Sequence, residues 1–122
     1  LPDMNFVTMK GFRGVDLIAA NVSAAGFIAG NKTTIRPTFD PNAFDVTLTR
    51  NGEKVNTGKG RDALGDQWEA LRWLVNTSLE NGWTVKPGDI FMTGALGNMI
   101  PGKPGKYVAD FGKLGKIEFE IR

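Results

Sequence analysis

Phe44-Asp45-Val46-Thr47-Leu48-Thr49-Arg50-Asn51-Gly52-Glu53-Lys54-Val55-Asn56-Thr57 alternates, turns and doubles back. Phe44, Val46 and Leu48 alternate with Asp45, Thr47 and Thr49, a period of two that places one set of side chains on a buried face and the other toward solvent. Asn51-Gly52 is the dipeptide that most readily adopts the two positive φ angles of a type I′ turn, and Glu53 to Thr57 then returns antiparallel. A β-hairpin is the expectation. Composition extends it to the whole chain: 16 Gly and 6 Pro in 122 residues imply short elements joined by tight turns rather than a helical bundle. With 41% hydrophobic residues the chain supports one modest core and one domain.

Downstream of the hairpin, Gly58-Lys59-Gly60 and Gly65 flank a loop, and Asp66 with Glu69 forms a capping-box pattern for a helix. Trp68, Leu71, Val75 and Leu79, joined by Leu74, give that helix an apolar stripe, and Asn81-Gly82 ends it. Lys86-Pro87-Gly88-Asp89 then reads as a turn into a strand, Ile90-Phe91-Met92-Thr93. Lys103-Pro104-Gly105-Lys106 reads the same way, into Tyr107-Val108-Ala109-Asp110-Phe111. The last segment alternates strictly, Ile117, Phe119 and Ile121 against Lys116, Glu118 and Glu120, as a half-buried strand does. Upstream, Asn31 to Pro41 is Thr/Pro-rich loop, and a closely packed Ala-rich helix is expected from the N-cap Asp16 to about Gly26.

Charge and residue inventory narrow the chemistry. Fifteen Lys+Arg are interleaved with thirteen Asp+Glu for a net charge of +2, which gives nucleic-acid binding little support. No apolar run approaches the ~18 residues of a membrane span. Neither His nor Cys is present, so a Ser-His-Asp triad, a Cys nucleophile and a zinc site of the usual kind all lack their parts. The absence of Cys is compatible with a reducing compartment, and cytoplasm is the default expectation. Any metal must be held by oxygen. Glu118-x-Glu120 is the obvious carboxylate pair, yet strand alternation alone demands polar residues there, and a solvated face is the simpler reading. Gly94-Ala95-Leu96-Gly97, after Thr93, offers backbone N–H groups and a hydroxyl able to hold a carboxylate or enolate oxygen. Asn21 and Ser23 in the small-residue helix either face a pocket or satisfy backbone groups. Gly58-Lys59-Gly60 lacks the spacing of a phosphate-binding Walker loop and reads as a mobile or closely packed turn.

The order of motifs carries a resemblance. Asn21-Val22-Ser23-Ala24 followed by Gly30, Thr49-Arg50-Asn51-Gly52-Glu53, Gly58-Lys59-Gly60, Leu64-Gly65-Asp66, Leu71-Arg72-Trp73-Leu74, Lys86-Pro87-Gly88-Asp89, Met92-Thr93-Gly94-Ala95-Leu96-Gly97 and Pro104-Gly105 follow one another along nearly all 122 residues. Phe111 and Leu114-Gly115 close the series. This set resembles the second half of the 2-keto-4-pentenoate hydratase and 4-oxalocrotonate decarboxylase family, in the fumarylacetoacetate hydrolase superfamily.

The resemblance implies an α+β fold, a mixed β roll with two short helices, in which residues 1–122 form the C-terminal part of one catalytic domain whose upstream part is missing. It implies Mg²⁺ or Mn²⁺ chelated by the carboxylate and 2-oxo group of a small 2-oxo or 2-hydroxydienoic acid, as a Lewis acid for adding water to the diene. Decarboxylation of a 2-oxo acid is the alternative within the family, and a non-catalytic scaffold the alternative outside it. The implied catalytic residues are Ser23, Asn21 and Thr93, with substrate contacts from Thr93, Gly94, Ala95 and Leu96. The family's metal carboxylates fall upstream of the first helix, so no metal ligand is assigned here and Glu118 and Glu120 are not given that role. A missing N-terminal half and further copies of the protein are the expected partners, because a roll cut at one edge exposes unpaired strand and apolar surface. Two positions depart from the family pattern: Ala20 replaces the Asp before Asn21, and Gln67 replaces the Pro after Gly65-Asp66.

Overall fold

The computed structural model describes residues 26–32, 34 and 36–122. The Ala-rich helix expected from Asp16, with Asn21 and Ser23 on it, lies outside those residues. Within them the chain runs β1 (Asp45–Arg50), β2 (Glu53–Lys59), α1 (Gln67–Glu80), β3 (Gly105–Asp110) and β4 (Lys116–Ile121), with 3-10 turns at Gly60–Asp62 and Gly112–Leu114. The strands form a four-stranded antiparallel sheet in the order β2-β1-β3-β4. The fold is α+β.

The hairpin forms where the alternation and the Asn-Gly dipeptide require it. Asn51 and Gly52 take φ of 51° and 86°, the left-handed pair whose twist matches that of the flanking strands. Register slips between Leu48 and Thr49, whose partners are Asn56 and Lys54, so Val55 is the extra residue of a β-bulge. Past the bulge β2 continues to Lys59, two residues beyond the expected Thr57. Gly58 and Lys59 are therefore strand, not loop. The tight packing expected of the glycines is present: a Cβ on Gly58 would lie 2.4 Å from the carbonyl carbon of Leu96.

Pairing sorts the sheet into two faces. Leu48, Ala109 and Ile117 lie opposite one another in adjacent strands, as do Tyr107 and Phe119, giving an apolar face. Tyr107 is 3% exposed, its ring stacks on Phe119 at 5.0 Å, and its hydroxyl donates to the Lys103 carbonyl (2.8 Å) while accepting the Lys103 N–H (3.1 Å). Burying a tyrosine this fully requires such a partner for the phenol. Thr47, Thr49, Asp110, Lys116 and Glu118 lie on the other face. Along β4, Ile117, Phe119 and Ile121 are half-buried while Lys116, Glu118 and Glu120 are exposed, as the alternation predicts.

Helix α1 starts where Asp66 predicts. The Asp66 carboxylate accepts the N–H groups of Trp68 (2.8 Å) and Glu69 (3.0 Å), two donors that a helix N-terminus otherwise leaves unpaired. The reciprocal half of the capping box does not form, because Glu69 pairs with Arg72 instead. Asn81 and Gly82, the latter at φ 80°, close the helix. The inward face is rotated from the expected stripe: Ala70 is buried and Leu71, Leu74 and Val75 are half-buried, whereas Trp68 and Leu79 are about half exposed. None of the described helices is long and apolar enough to cross a membrane.

One expected strand is absent among the described residues. Ile90-Phe91-Met92-Thr93 joins no ladder, although the turn before it forms, with the Lys86 N–H on Asp89 Oδ2 (2.7 Å). Both edges of β1 are occupied, by β2 and β3, and β3 is closed by β4. The outer edges of β2 and β4 stay open among the described residues, yet residues 90–93 pair with neither.

Candidate active site

The run that forms no strand leads into the candidate segment. Residues 93–98 cross from the N-terminus of α1 to the end of β2, and side chains rather than a ladder hold them. Asp62 in the first 3-10 turn accepts two backbone N–H groups on one oxygen, from Lys59 (2.7 Å) and Gly97 (2.9 Å). Asn56 Nδ2 donates to the Asn98 carbonyl at 2.6 Å. Gly97, at φ 76°, lies so close to β2 that a Cβ there would be 2.1 Å from the Thr57 carbonyl oxygen. Only glycine fits both that conformation and that gap.

At the other end, the half-buried Thr93 donates its hydroxyl to Gln67 Oε1. Gln67 Nε2 donates to the Gly60 carbonyl (2.6 Å), and the Gln67 backbone N–H donates to Asn42 Oδ1 (2.8 Å). Asn42 Nδ2 completes the chain on Asp66 Oδ2 at 2.9 Å. The Glu69 backbone N–H holds the Asp66 carboxyl below its usual value of 3.8; desolvation is the next largest effect and opposes it, and Trp68, Asn42 and Arg61 each add a smaller lowering. The 3-10 turn and the loop residue Asn42 thus converge on Gln67, and through it on Thr93.

Between these anchors the N–H groups of Gly94, Ala95 and Leu96 have no hydrogen-bond partner among the described residues. Gly94 and Leu96, though not Ala95, line a cleft of about 340 Å³ with the apolar Val46, Leu48, Ala109 and Phe111 and with Asn56 and Thr57 of β2. Phe44 packs on Phe111 at 6.2 Å beside it. Free donors at the rim of an apolar cleft suit an elongated molecule with an anionic end.

Of the expected site residues, Thr93, Gly94, Ala95 and Leu96 fall on this one segment, with Gly94 and Leu96 lining the cleft. Ser23 and Asn21 lie outside the described residues. Gln67, Asp62 and Asn56 were not singled out for the site by pattern; Gln67 stood out only as a departure from proline. Glu118 and Glu120 are exposed on β4, Glu120 facing Arg122 at 3.4 Å. No group of three Asp, Glu, His or Cys gathers among the described residues, so these do not fit a divalent ion of the kind the resemblance implies.

Fold and site together define a class. Residues 8–122 match the fumarylacetoacetate (FAA) hydrolase C-terminal family, and the chain belongs to it. Among curated relatives, a 2-keto-4-pentenoate hydratase of Paraburkholderia phymatum is 36% identical over 106 residues, covering 86% of this chain and 40% of that protein. A 2-hydroxyhexa-2,4-dienoate hydratase of Comamonas testosteroni is 30% identical over 90 residues, covering 74% of this chain and 34% of that protein. Among solved structures, 4-oxalocrotonate decarboxylase from Pseudomonas putida G7, complexed with magnesium and adipate, superposes with a TM-score of 0.78 at 27% identity, over 91% of this chain and 43% of that one. The chain spans about two-fifths of the length of the relatives it matches.

Proposed function

We propose that the complete protein is a metal-dependent hydratase that adds water to 2-hydroxy-2,4-dienoates to give 4-hydroxy-2-oxo acids, in the catabolism of aromatic compounds. The observation that supports this most is that Gly94 and Leu96, whose N–H groups have no partner among the described residues, line a largely apolar cleft. The cleft takes the hydrocarbon part of the substrate, and the N–H groups with Thr93 receive its carboxylate or enolate oxygen. Asn21 and Ser23 supply further polar contacts in this reading. The Mg²⁺ or Mn²⁺ belongs to the part of the protein upstream of these residues, and no step here is routed through it. The same reading has the N-terminal half and further copies of this cytoplasmic protein covering apolar surface such as Trp73 and Trp83, which are 60% and 73% exposed.

The likeness to a 4-oxalocrotonate decarboxylase favours a second reading, loss of CO₂ from a 2-oxo acid held in the same cleft. Thr93→Val keeps the β-branched shape and removes only the hydroxyl. Steady-state kinetics of the complete, metal-loaded protein with 2-hydroxypenta-2,4-dienoate and with 4-oxalocrotonate tests both readings. Hydration is expected from the wild type, and a fall of roughly 10²- to 10³-fold from the variant. Turnover of 4-oxalocrotonate alone selects the decarboxylase, unchanged turnover by Thr93→Val removes that residue from the site, and turnover of neither acid favours a non-catalytic scaffold.

A further inference from the structure

Gln67 opens helix α1, and both ends of its side-chain amide are engaged. The Gly60 carbonyl can only accept, so Nε2 must face it, at 2.6 Å. That fixes the orientation of the amide and leaves Oε1 toward Thr93. An amide oxygen can only accept, so the Thr93 hydroxyl must donate to it. The single proton of that hydroxyl is thereby committed inward. What Oγ1 presents outward is lone pairs, while the neighbouring N–H groups of Gly94, Ala95 and Leu96 present only protons.

We infer that Gln67 is a positioning residue that turns the Thr93 hydroxyl into an acceptor toward the substrate, so that this corner of the site selects acids carrying a hydroxyl donor next to the carboxylate. The inference rests on the cleft being the substrate site. An apolar side chain at this position would have no atom to impose that polarity, and an unrestrained threonine hydroxyl serves as donor or acceptor alike. Gln67 therefore narrows the choice toward the enol form, whose 2-hydroxyl donates, and away from an acid with no donor at C2. A site built to bond a substrate hydroxyl discriminates strongly against the analogue lacking it, because its own polar atom is then left unpaired.

The test compares 2-hydroxyhexanoate with hexanoate as ligands of the complete, metal-loaded protein, by calorimetric titration. Gln67→Met keeps the length of the side chain and removes both polar atoms. It is expected to reduce the wild-type preference for the 2-hydroxy acid about tenfold while leaving the affinity for hexanoate unchanged, the effect of losing one oriented hydrogen bond. Gln67→Glu separates the positioning role from a merely structural one: its carboxylate still accepts from the Thr93 hydroxyl but no longer donates to Gly60, so the preference for the 2-hydroxy acid is expected to persist where Gln67→Met loses it. A wild type that discriminates, with Gln67→Met discriminating equally or losing both affinities together, overturns the positioning role alone. A wild type that binds neither acid overturns the cleft as substrate site and the positioning role with it.

Discussion

Two stretches of this chain begin alike and end differently. Lys86-Pro87-Gly88 leads into Ile90-Phe91-Met92-Thr93, and Lys103-Pro104-Gly105 leads into Tyr107-Val108-Ala109-Asp110. The first closes a turn, with the Asp89 N–H on the Lys86 carbonyl (3.1 Å), while the second bends at Pro104 and enters β3 directly at Gly105. Only the second run becomes a strand, β3, clasped between β1 and β4. The difference lies in what each run meets. Lys106 arrives beside the hairpin turn, where its N–H donates to Asn51 Oδ1 (2.9 Å) and its carbonyl accepts the Asn51 N–H (2.8 Å), and the ladder with β1 continues from there. Thr93 meets the side chain of Gln67 instead. A ladder consumes every second N–H of a strand on each side. A segment held by side chains keeps its N–H groups free, which is why the irregular copy, not the regular one, carries the candidate site.

If that contrast is right, the irregular segment depends on single close approaches that the ladder does not share. Gly97→Ala should have the largest effect, since its Cβ would meet the Thr57 carbonyl oxygen at 2.1 Å and the residue is at φ 76°. Relief requires the segment to lift from β2, at a cost of about 3 kcal/mol by analogy with overpacked sites. Hydrogen exchange on the complete protein should show the loosening in residues 93–98, with β3 amides keeping their protection. Equal loss of protection in both would mean that the segment and the sheet are one cooperative unit.

Asn51→Ala is the converse perturbation, and smaller. It removes the side-chain acceptor for Lys106 and places a residue with a Cβ at φ 51°, where asparagine is favoured by local hydrogen bonding. A loss of about 1–2 kcal/mol is expected. Denaturant unfolding gives the magnitude, and exchange should locate the loosening in the hairpin and the start of β3. A loss confined to residues 93–98 would contradict the separation of the two regions.

Much of the ladder was legible in the sequence because its determinants are local. Alternation in residues 44–49 and 116–121, the Asn-Gly turn and the Asp66 cap each act over a few residues, and each forms as read. The run at residues 90–93 was misread for a physical reason: an apolar run of this length fits a strand by composition, but pairing is decided by contacts distant in sequence, and here Thr93 is drawn to the Gln67 side chain instead. The site was half legible. Thr93, Gly94, Ala95 and Leu96 were visible because they are contiguous and lie in an ordered set of family motifs. The partnerships that hold them join residues 26 to 42 apart, Thr93 with Gln67, Gly97 with Asp62 and Asn98 with Asn56, and no periodicity brings such pairs together on paper. A polar Gln67 at the first helical position, where proline is usual, was the one available signal.

The smallest expected effect is electrostatic and belongs to the ladder alone. Lys116 Nζ lies 2.9 Å from Asp110 Oδ2 across the β3–β4 pair. The hydrogen bond from Lys116 holds the Asp110 carboxyl below its usual 3.8, helped by the Gly112 N–H, and Asp110 in turn raises Lys116 above 10.5. The two groups give opposite pH limbs. Asp110 stabilises the fold fully above 3.8, and that contribution disappears as pH falls through its lowered value. Lys116 stabilises it fully below 10.5, and that contribution disappears as pH rises through its raised value. Both side chains are well exposed, at 59% and 37%, so water and salt screen the pair and its contribution is slight. Lys116→Met should therefore lower the urea midpoint slightly near neutrality at low salt. The difference from wild type should vanish both in molar salt and in acid, where Asp110 is protonated. Through all of this the exchange of residues 93–98 should be unchanged, because no charge of this pair touches their anchors; a parallel change there would show that β3 and the irregular segment are coupled after all.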